Sequence, residues 1–179
     1  MQPQLPELTD FPELDDEGLY GHEILVRARA LWLMRLLLAE APRVHYPPGD
    51  RRTTTICGIA TRGQLEDALD DGLTVDCSQA VTLIAHVAGA RDPNGARYAA
   101  DGYTGTLLRG CVHIGREQAK LADLRVFGAG TGHHVAMVMM PGSDPLLFSH
   151  GTERGPVAIA ESAEMHLQPA GGTFLRLPI

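Results

Sequence analysis

The stretch LTVDCSQAVTLIAHVAG, residues 73–89, places a cysteine between an aspartate and a serine at the start of an apolar run. Asp76 is a good helix N-cap, and the run up to Ala88 has the composition of a buried helix. Cys77 is therefore expected in the first turn of that helix. Because the unpaired N–H groups and the dipole of a helix N-terminus favour a thiolate, Cys77 is a candidate nucleophile.

The composition fits one globular domain. A chain of 179 residues with 44% hydrophobic and 21% charged residues can bury a single core. The net charge of −7 counts against a nucleic-acid partner, because such binding requires Lys and Arg to neutralise phosphates. Residues 1–17 are acidic and proline-rich, so we expect a flexible tail there and one domain over residues 18–179.

Two features of the N-terminal region bear on localisation. The first residues lack the positive and apolar regions of a secretory signal, so we expect the chain to fold in the cytoplasm. Arg27, Arg29 and Arg35 interrupt the apolar run that follows, well short of the about 20 residues that a membrane span needs. We therefore expect no stable membrane association.

The remaining pattern places helices first and strands second. Residues 18–40 predict the longest helix, and residues 61–72 predict a short helix that Thr61 caps and Gly72 ends. Residues 91–106 are rich in turn formers and predict an irregular loop. Four short apolar segments predict strands, and they are DLRVFG (123–128), HHVAMVMM (133–140), PLLFSHG (145–151) and GTFLRLPI (172–179). This order predicts an α+β domain with helices on one face of an antiparallel sheet.

The predicted strands carry histidines that are candidate bases for Cys77. Neighbouring strand residues point to opposite faces, so at most one of His133 and His134 faces the thiol. Small Ala136 shares a face with His134 and leaves room for an imidazole, which favours His134. His150, across the PGSD turn, is a candidate for the polar group that fixes the imidazole tautomer.

These motifs and their order resemble the NlpC-type cell-wall cysteine peptidases, papain-like enzymes of α+β fold that cut peptidoglycan stem peptides. The resemblance runs from about Tyr46 to the C-terminus and includes DCSQAV, ADLRVFG, GHHVAMV and FSHG. It implies that Cys77 is the nucleophile, His134 the base and His150 the third polar residue. Asp76 and Ser78 are then expected to help hold the stem peptide, and Tyr46 to border the oxyanion site.

Two positions and one hairpin depart from the family pattern. Gln79 replaces the glycine after Asp-Cys-Ser, and Ala122 replaces the glycine before Asp123. Nothing in the sequence demands an unusual φ at either position, so we expect both replacements to be tolerated. The hairpin between His134 and His150 is also longer than usual in the family.

The resemblance implies acyl transfer by a cysteine endopeptidase, with no cofactor or metal. The thiolate attacks a carbonyl beside D-glutamate, as in a γ-D-glutamyl-diaminopimelate endopeptidase, and the histidine protonates the leaving amine. SHGTERGP and HHVAMV also resemble the peptidase domains that open endolysins of phages infecting actinobacteria. That similarity implies peptidoglycan as the partner and action on the cell wall after storage in the host cytoplasm.

Two other interpretations stay open on the sequence. In the first, a zinc-dependent peptidoglycan amidase uses His134, His150 and Cys77 as ligands of one metal ion. In the second, the chain is a non-enzymatic structural or wall-binding module of a phage particle, and Cys77 is inert. A cysteine in an apolar helix is more often a small core residue than a nucleophile, and we assign Cys57 and Cys111 that role.

Overall fold

The protein has a mixed α+β fold, as the order of the sequence patterns predicts. A computed structural model describes residues 21–48, 55–151 and 155–179, which form five α-helices, a two-stranded sheet and a six-stranded sheet. The expected tail over residues 1–17 lies outside the described residues. Among the described helices, none combines the length and apolar content required to cross a bilayer.

Two of the helices begin with capping boxes. The helices are α1 (His22–Ala39), α2 (Arg62–Asp70), α3 (Cys77–Ala88), α4 (Thr104–Gly110) and α5 (Glu161–Leu167). Thr61 with Gln64 caps α2, and Asp76 with Gln79 caps α3. The predictions of α2 and α3 are thus confirmed, whereas α4 begins inside the stretch predicted as a loop and α5 was not predicted.

The main sheet is antiparallel throughout. The two-stranded parallel sheet pairs β1 (Val44–His45) with β2 (Leu73–Thr74). The six-stranded sheet contains β3 (Val112–Ile114), β4 (Leu124–Phe127), β5 (His134–Met140), β6 (Leu146–Ser149), β7 (Val157–Ala160) and β8 (Gly172–Arg176). Their spatial order is β3-β8-β4-β5-β6-β7. The four predicted strands are β4, β5, β6 and β8, and the two edge strands were not predicted.

The main core lies between α1, α3 and one face of the sheet. Helix α3 packs on both α1 and β5. The β5 residues in this core are Val135, Met137 and Met139. Ala136 and Val138 belong to a second apolar cluster with Phe127 and Phe174, on the other face. The reason given above for favouring His134 is therefore wrong, because Ala136 faces away from α3.

A buried carboxylate joins the helical layer to the sheet. Asp123, just before β4, has no exposed surface. Arg27 of α1 donates to Asp123 Oδ1 at 3.2 Å, and Arg176 Nη1 lies 3.1 Å from Oδ2. The backbone N–H groups of Lys120 and Leu177 also donate to this carboxylate, at 2.8 and 3.2 Å. One side chain thus connects α1, the turn before β4 and the end of β8.

The backbone at Ala122 differs from the expectation. Ala122 has a φ of 67°, in the left-handed region, whereas an ordinary φ was expected at this position. The conformation costs an L-residue about 1 kcal/mol, which explains why a glycine suits this position. Its N–H donates to the Val138 carbonyl at 2.7 Å, so a β5 contact holds the strained residue in place.

We predict that Asp123→Ala lowers the free energy of unfolding by about 3 kcal/mol, because it removes the buried carboxylate that Arg27 and Arg176 share and leaves Arg27 with only the half-exposed Glu23 as an acidic partner. Urea unfolding followed by circular dichroism measures this change. Glu66→Ala is the control, because the Arg62–Glu66 pair at 2.8 Å is half exposed and should change stability by less than about 1 kcal/mol. Equal losses in the two variants would contradict a supporting role for Asp123.

Candidate active site

The start of α3 fixes the position of Cys77, which is the first residue of that helix and is 6% exposed. Asp76 Oδ1 accepts the Gln79 N–H and the Ser78 hydroxyl, both at 2.8 Å. Gln79 accepts the Asp76 N–H at 3.1 Å and donates from Nε2 to Asp101 at 2.6 Å. The glutamine that departs from the family pattern therefore completes the capping box and connects α3 to a neighbouring loop.

The β1–β2 pair places Tyr46 beside the thiol. The Val75 N–H donates to the His45 carbonyl at 3.0 Å, which aligns the residues that follow the two strands. The Tyr46 hydroxyl lies within hydrogen-bonding reach of the Cys77 thiol and backbone. Burial, with the charges of Cys77 and Asp76, raises the pKa of Tyr46 well above its ordinary value. Tyr46 consequently keeps its proton and serves as a hydrogen-bond donor at this point.

His134 is the first residue of β5 and is buried, whereas His133 is exposed. His134 Nε2 lies 2.9 Å from Ser149 Oγ and 3.2 Å from Glu164 Oε1. Ser149 donates its hydroxyl proton to the same Glu164 oxygen at 3.1 Å, so its oxygen accepts from Nε2–H. The Nδ1 atom of His134 is then the ring nitrogen left to interact with Cys77, which is among the groups that raise the pKa of His134.

The partners of His134 favour its charged form. Burial alone would lower the pKa of His134, but the hydrogen bonds and charges of Cys77 and Glu164 raise it to about 9. Burial raises the pKa of Glu164, and the contacts with His134, Gln168 and Ser149 more than offset this, leaving it below its ordinary value. At neutral pH an imidazolium therefore lies between a carboxylate and a thiol, as nucleophilic cysteine chemistry requires.

His150 occupies a different position from the one predicted. His150 Nε2 donates to the Val75 carbonyl at 2.8 Å, and its ring centroid lies 5.4 Å from that of Tyr46. Burial lowers the pKa of His150, so the ring is neutral at pH 7. The prediction that His150 orients the imidazole of His134 is therefore not supported. His150 instead holds the segment that leads into Cys77.

Sequence reasoning missed the two residues that contact the base. Ser149 precedes the predicted His150 by one residue on β6, and neighbouring strand residues face opposite sides of a sheet. Glu164 lies on α5, whose short polar segment ESAEMHLQ gives no periodic apolar signal. Its only signal was a pair of acidic residues three apart, Glu161 and Glu164, which turn out to share a buried helix face.

The residues predicted to bind the stem peptide form part of the helix start. Ser78 is 2% exposed, and its hydroxyl lies 2.8 Å from Asp76 Oδ1 and 3.4 Å from the Gly102 carbonyl. Asp76 is half-buried and caps α3. Tyr46 is also half-buried, with its hydroxyl directed at Cys77. Of the three, Tyr46 has the position that suits a contact with the reacting group.

The geometry counts against the zinc interpretation. Within residues 21–48, 55–151 and 155–179, no group of three His, Cys, Asp or Glu side chains is arranged to hold a metal ion. His150, one of the three ligands in that interpretation, directs Nε2 to a backbone carbonyl. His134, a second one, directs Nε2 to a serine and a glutamate.

Comparison with known proteins identifies no family for this chain. No protein-family model matches the chain, and no curated protein is significantly similar to it. The interpretation of the site therefore rests on the contacts among its own side chains.

We predict that iodoacetamide alkylates Cys77 at pH 7 at least about tenfold faster than the other two thiols, because only the thiolate reacts. Burial raises the pKa of Cys111 to about 12. Burial and the hydrogen bond to the Asp101 carboxylate raise the pKa of Cys57. Peptide mass spectrometry over a time course measures the three rates. His134→Ala should remove the advantage of Cys77, and slow, equal labelling of all three wild-type thiols would contradict the prediction.

Proposed function

We propose that this protein is a cysteine endopeptidase of papain-like, NlpC-type fold that hydrolyses the stem peptide of peptidoglycan. The observation that carries the proposal is the buried His134 imidazole, which contacts Ser149 and Glu164 on one side and has its pKa raised by Cys77, at a helix N-terminus, on the other. A base of this kind, oriented by a third group, is typical of nucleophilic acyl transfer. An inert core cysteine has no need of a buried, charged partner.

The proposed reaction has two stages. The Cys77 thiolate attacks the scissile carbonyl, and His134 donates its Nδ1 proton to the leaving amine, which gives an acyl-enzyme. The imidazole then takes a proton from water, and the resulting hydroxide attacks the thioester and releases Cys77. The Tyr46 hydroxyl and the N–H groups at the start of α3 are the donors that stabilise the oxyanion in both stages.

The choice of peptidoglycan rests on the order of the motifs along the chain. An Asp-Cys-Ser helix start, an Asp-Leu strand entry, a His-Val strand and a Ser-His strand end follow one another as in the NlpC-type peptidases. The packing of α3, with Cys77 at its first position, on β5, with His134 at its first position, supports the same family. We propose the bond next to D-glutamate, of the γ-D-glutamyl-diaminopimelate class, and a role in phage-induced lysis.

Mass spectrometry of digested peptidoglycan tests this proposal directly. Purified walls are incubated with the wild-type protein and with Cys77→Ala, each with and without a chelator. Stem-peptide fragments that require Cys77 and persist with the chelator are the expected result, and their masses identify the bond. Products lost on chelation would point to a zinc amidase. No products from any wall type would favour the binding module.

We predict that Cys77→Ser and His134→Ala each reduce kcat by at least about a hundredfold, because one removes the thiolate and the other the general acid and base. Circular dichroism should show that both variants keep the fold. His150→Ala should reduce kcat less, because His150 holds the segment before the nucleophile instead of contacting the base. A fully active Cys77→Ser protein would exclude covalent catalysis at this residue.

We predict that Tyr46→Phe reduces kcat by about tenfold to a hundredfold with little change in KM. The variant keeps the ring that packs on His150 but lacks the hydroxyl that faces Cys77. Steady-state kinetics on a soluble stem peptide separates the two constants. Tyr98→Phe is a matched control, because that hydroxyl donates to the Ala90 carbonyl at 3.1 Å in a different loop. An equal effect of both substitutions on kcat would contradict a role for Tyr46 in stabilising the oxyanion.

A further inference from the structure

We propose that the loop after α3 carries a second binding site, in which Arg91 and Arg97 bind a carboxylate or phosphate anion. The two arginines line one cavity of about 410 Å³ together with Asp92, Gly95 and Tyr98. Cavities of this size are typical of sites for small ligands. The inference goes beyond the proposed peptidase function, because none of these residues belongs to the site around Cys77.

The cavity lies at the opposite end of α3 from the thiol. Cys77 is the first residue of this helix, and Arg91 lies just beyond its last residue, Ala88. A helix of 12 residues is about 18 Å long, so the cavity and the thiol are separated by roughly that distance. An anion bound in the cavity therefore does not touch the reacting atoms.

The two guanidiniums give the cavity its positive charge. Arg91 and Arg97 are both exposed, and among the described residues neither side chain has a hydrogen bond or an ion pair. A guanidinium presents its N–H donors in a planar fork that matches two oxygens of a carboxylate or a phosphate. Both forks are available to a ligand, so the cavity suits an anion although the chain as a whole has a net charge of −7.

The carboxylate of Asp92 is already occupied by the loop itself. Its Oδ1 accepts the N–H and the side-chain amide of Asn94, at 2.8 and 3.2 Å. Its Oδ2 accepts the N–H groups of Ala96 and Tyr98, at 2.8 and 2.9 Å. A carboxylate accepts about four hydrogen bonds, so these donors use its capacity. Asp92 thus organises the backbone of the loop and leaves the guanidiniums to the ligand.

The loop is anchored at several points, which keeps the cavity preformed. The Tyr98 ring stacks on His86 of α3, with 3.8 Å between centroids and 12° between planes, and its hydroxyl donates to the Ala90 carbonyl at 3.1 Å. The Arg91 N–H donates to the Pro178 carbonyl at 3.0 Å, beyond β8. A preformed frame lowers the entropy that is lost when a ligand binds.

Two adjacent residues of the loop have strained backbones. Arg97 and Tyr98 have φ values of 54° and 59°, in the left-handed region that residues with a side chain rarely adopt. Gly95, with a φ of 75°, tolerates the same region. No polar contact of the Arg97 side chain with the described part of the chain offsets its strain. Backbone outliers of this kind cluster at ligand sites, which favours a role of Arg97 in binding.

Arg97→Gly tests the proposal, because glycine keeps the backbone conformation and removes the guanidinium. Binding is measured in a Cys77→Ala background, by NMR titration of isotope-labelled protein with inorganic phosphate and with a soluble stem peptide that has free carboxylates. We expect saturable shifts of the amides of residues 91–98, and a dissociation constant at least about tenfold higher after Arg97→Gly. The melting temperature should not fall, because the substitution removes strain. The probe that binds more tightly identifies the source of the anion.

Arg109→Gln is the matched control, because it removes an exposed guanidinium outside the cavity, where Arg109 stacks on the Tyr103 ring. This variant should bind both probes as tightly as the Cys77→Ala parent. No saturable shifts at residues 91–98 with either probe, or equal losses of affinity in the two arginine variants, would overturn the proposal. Binding is measured without cleavage, so a protein that hydrolyses no wall would refute the peptidase function and leave this test valid.

Discussion

The carboxylate of Asp76 caps α3, and the position of the Cys77 thiol depends on where that helix begins. Because Asp76 accepts the Gln79 N–H and the Ser78 hydroxyl, the first turn starts at Cys77 and at no neighbouring residue. The β1–β2 pair then brings Tyr46 to the same point, and His150 holds the Val75 carbonyl just before it. A one-residue shift in the helix start would turn the thiol by about 100° and away from the base.

The thiol and the imidazole of the site are held in position by different kinds of contact. The thiol is placed by backbone structure, since a helix N-terminus is defined by the chain itself. The imidazole is placed by side chains, Ser149 and Glu164, whose burial makes their hydrogen bonds strong and an unpaired partner costly. A buried imidazolium is tolerated here because a carboxylate lies on one side and the thiol on the other.

The elements that could be predicted from the sequence are those determined by residues close together in the chain. The N-cap residues Thr61 and Asp76 predict two helices, and runs rich in valine and methionine predict the central strands. The choice of His134 over His133 agrees with their burial, although the reason based on Ala136 does not hold. Helix α5, which carries Glu164, depends on residues that are distant in the sequence. A short polar helix is stable only with tertiary contacts, and here Arg125 pairs with Glu161 and Asp144 accepts the Ser162 N–H.

The hydrogen bond from His150 to the Val75 carbonyl joins residues 75 positions apart, and it has a consequence for the order of assembly. A ribosome produces Cys77 well before it produces either the base or the residues that hold it. Contacts of such long sequence separation form late in folding, so the thiol first meets its imidazole when most of the chain has been made. The candidate site is therefore completed only when the C-terminal half of the domain has folded, and the Cys77 thiol has no imidazole beside it before that.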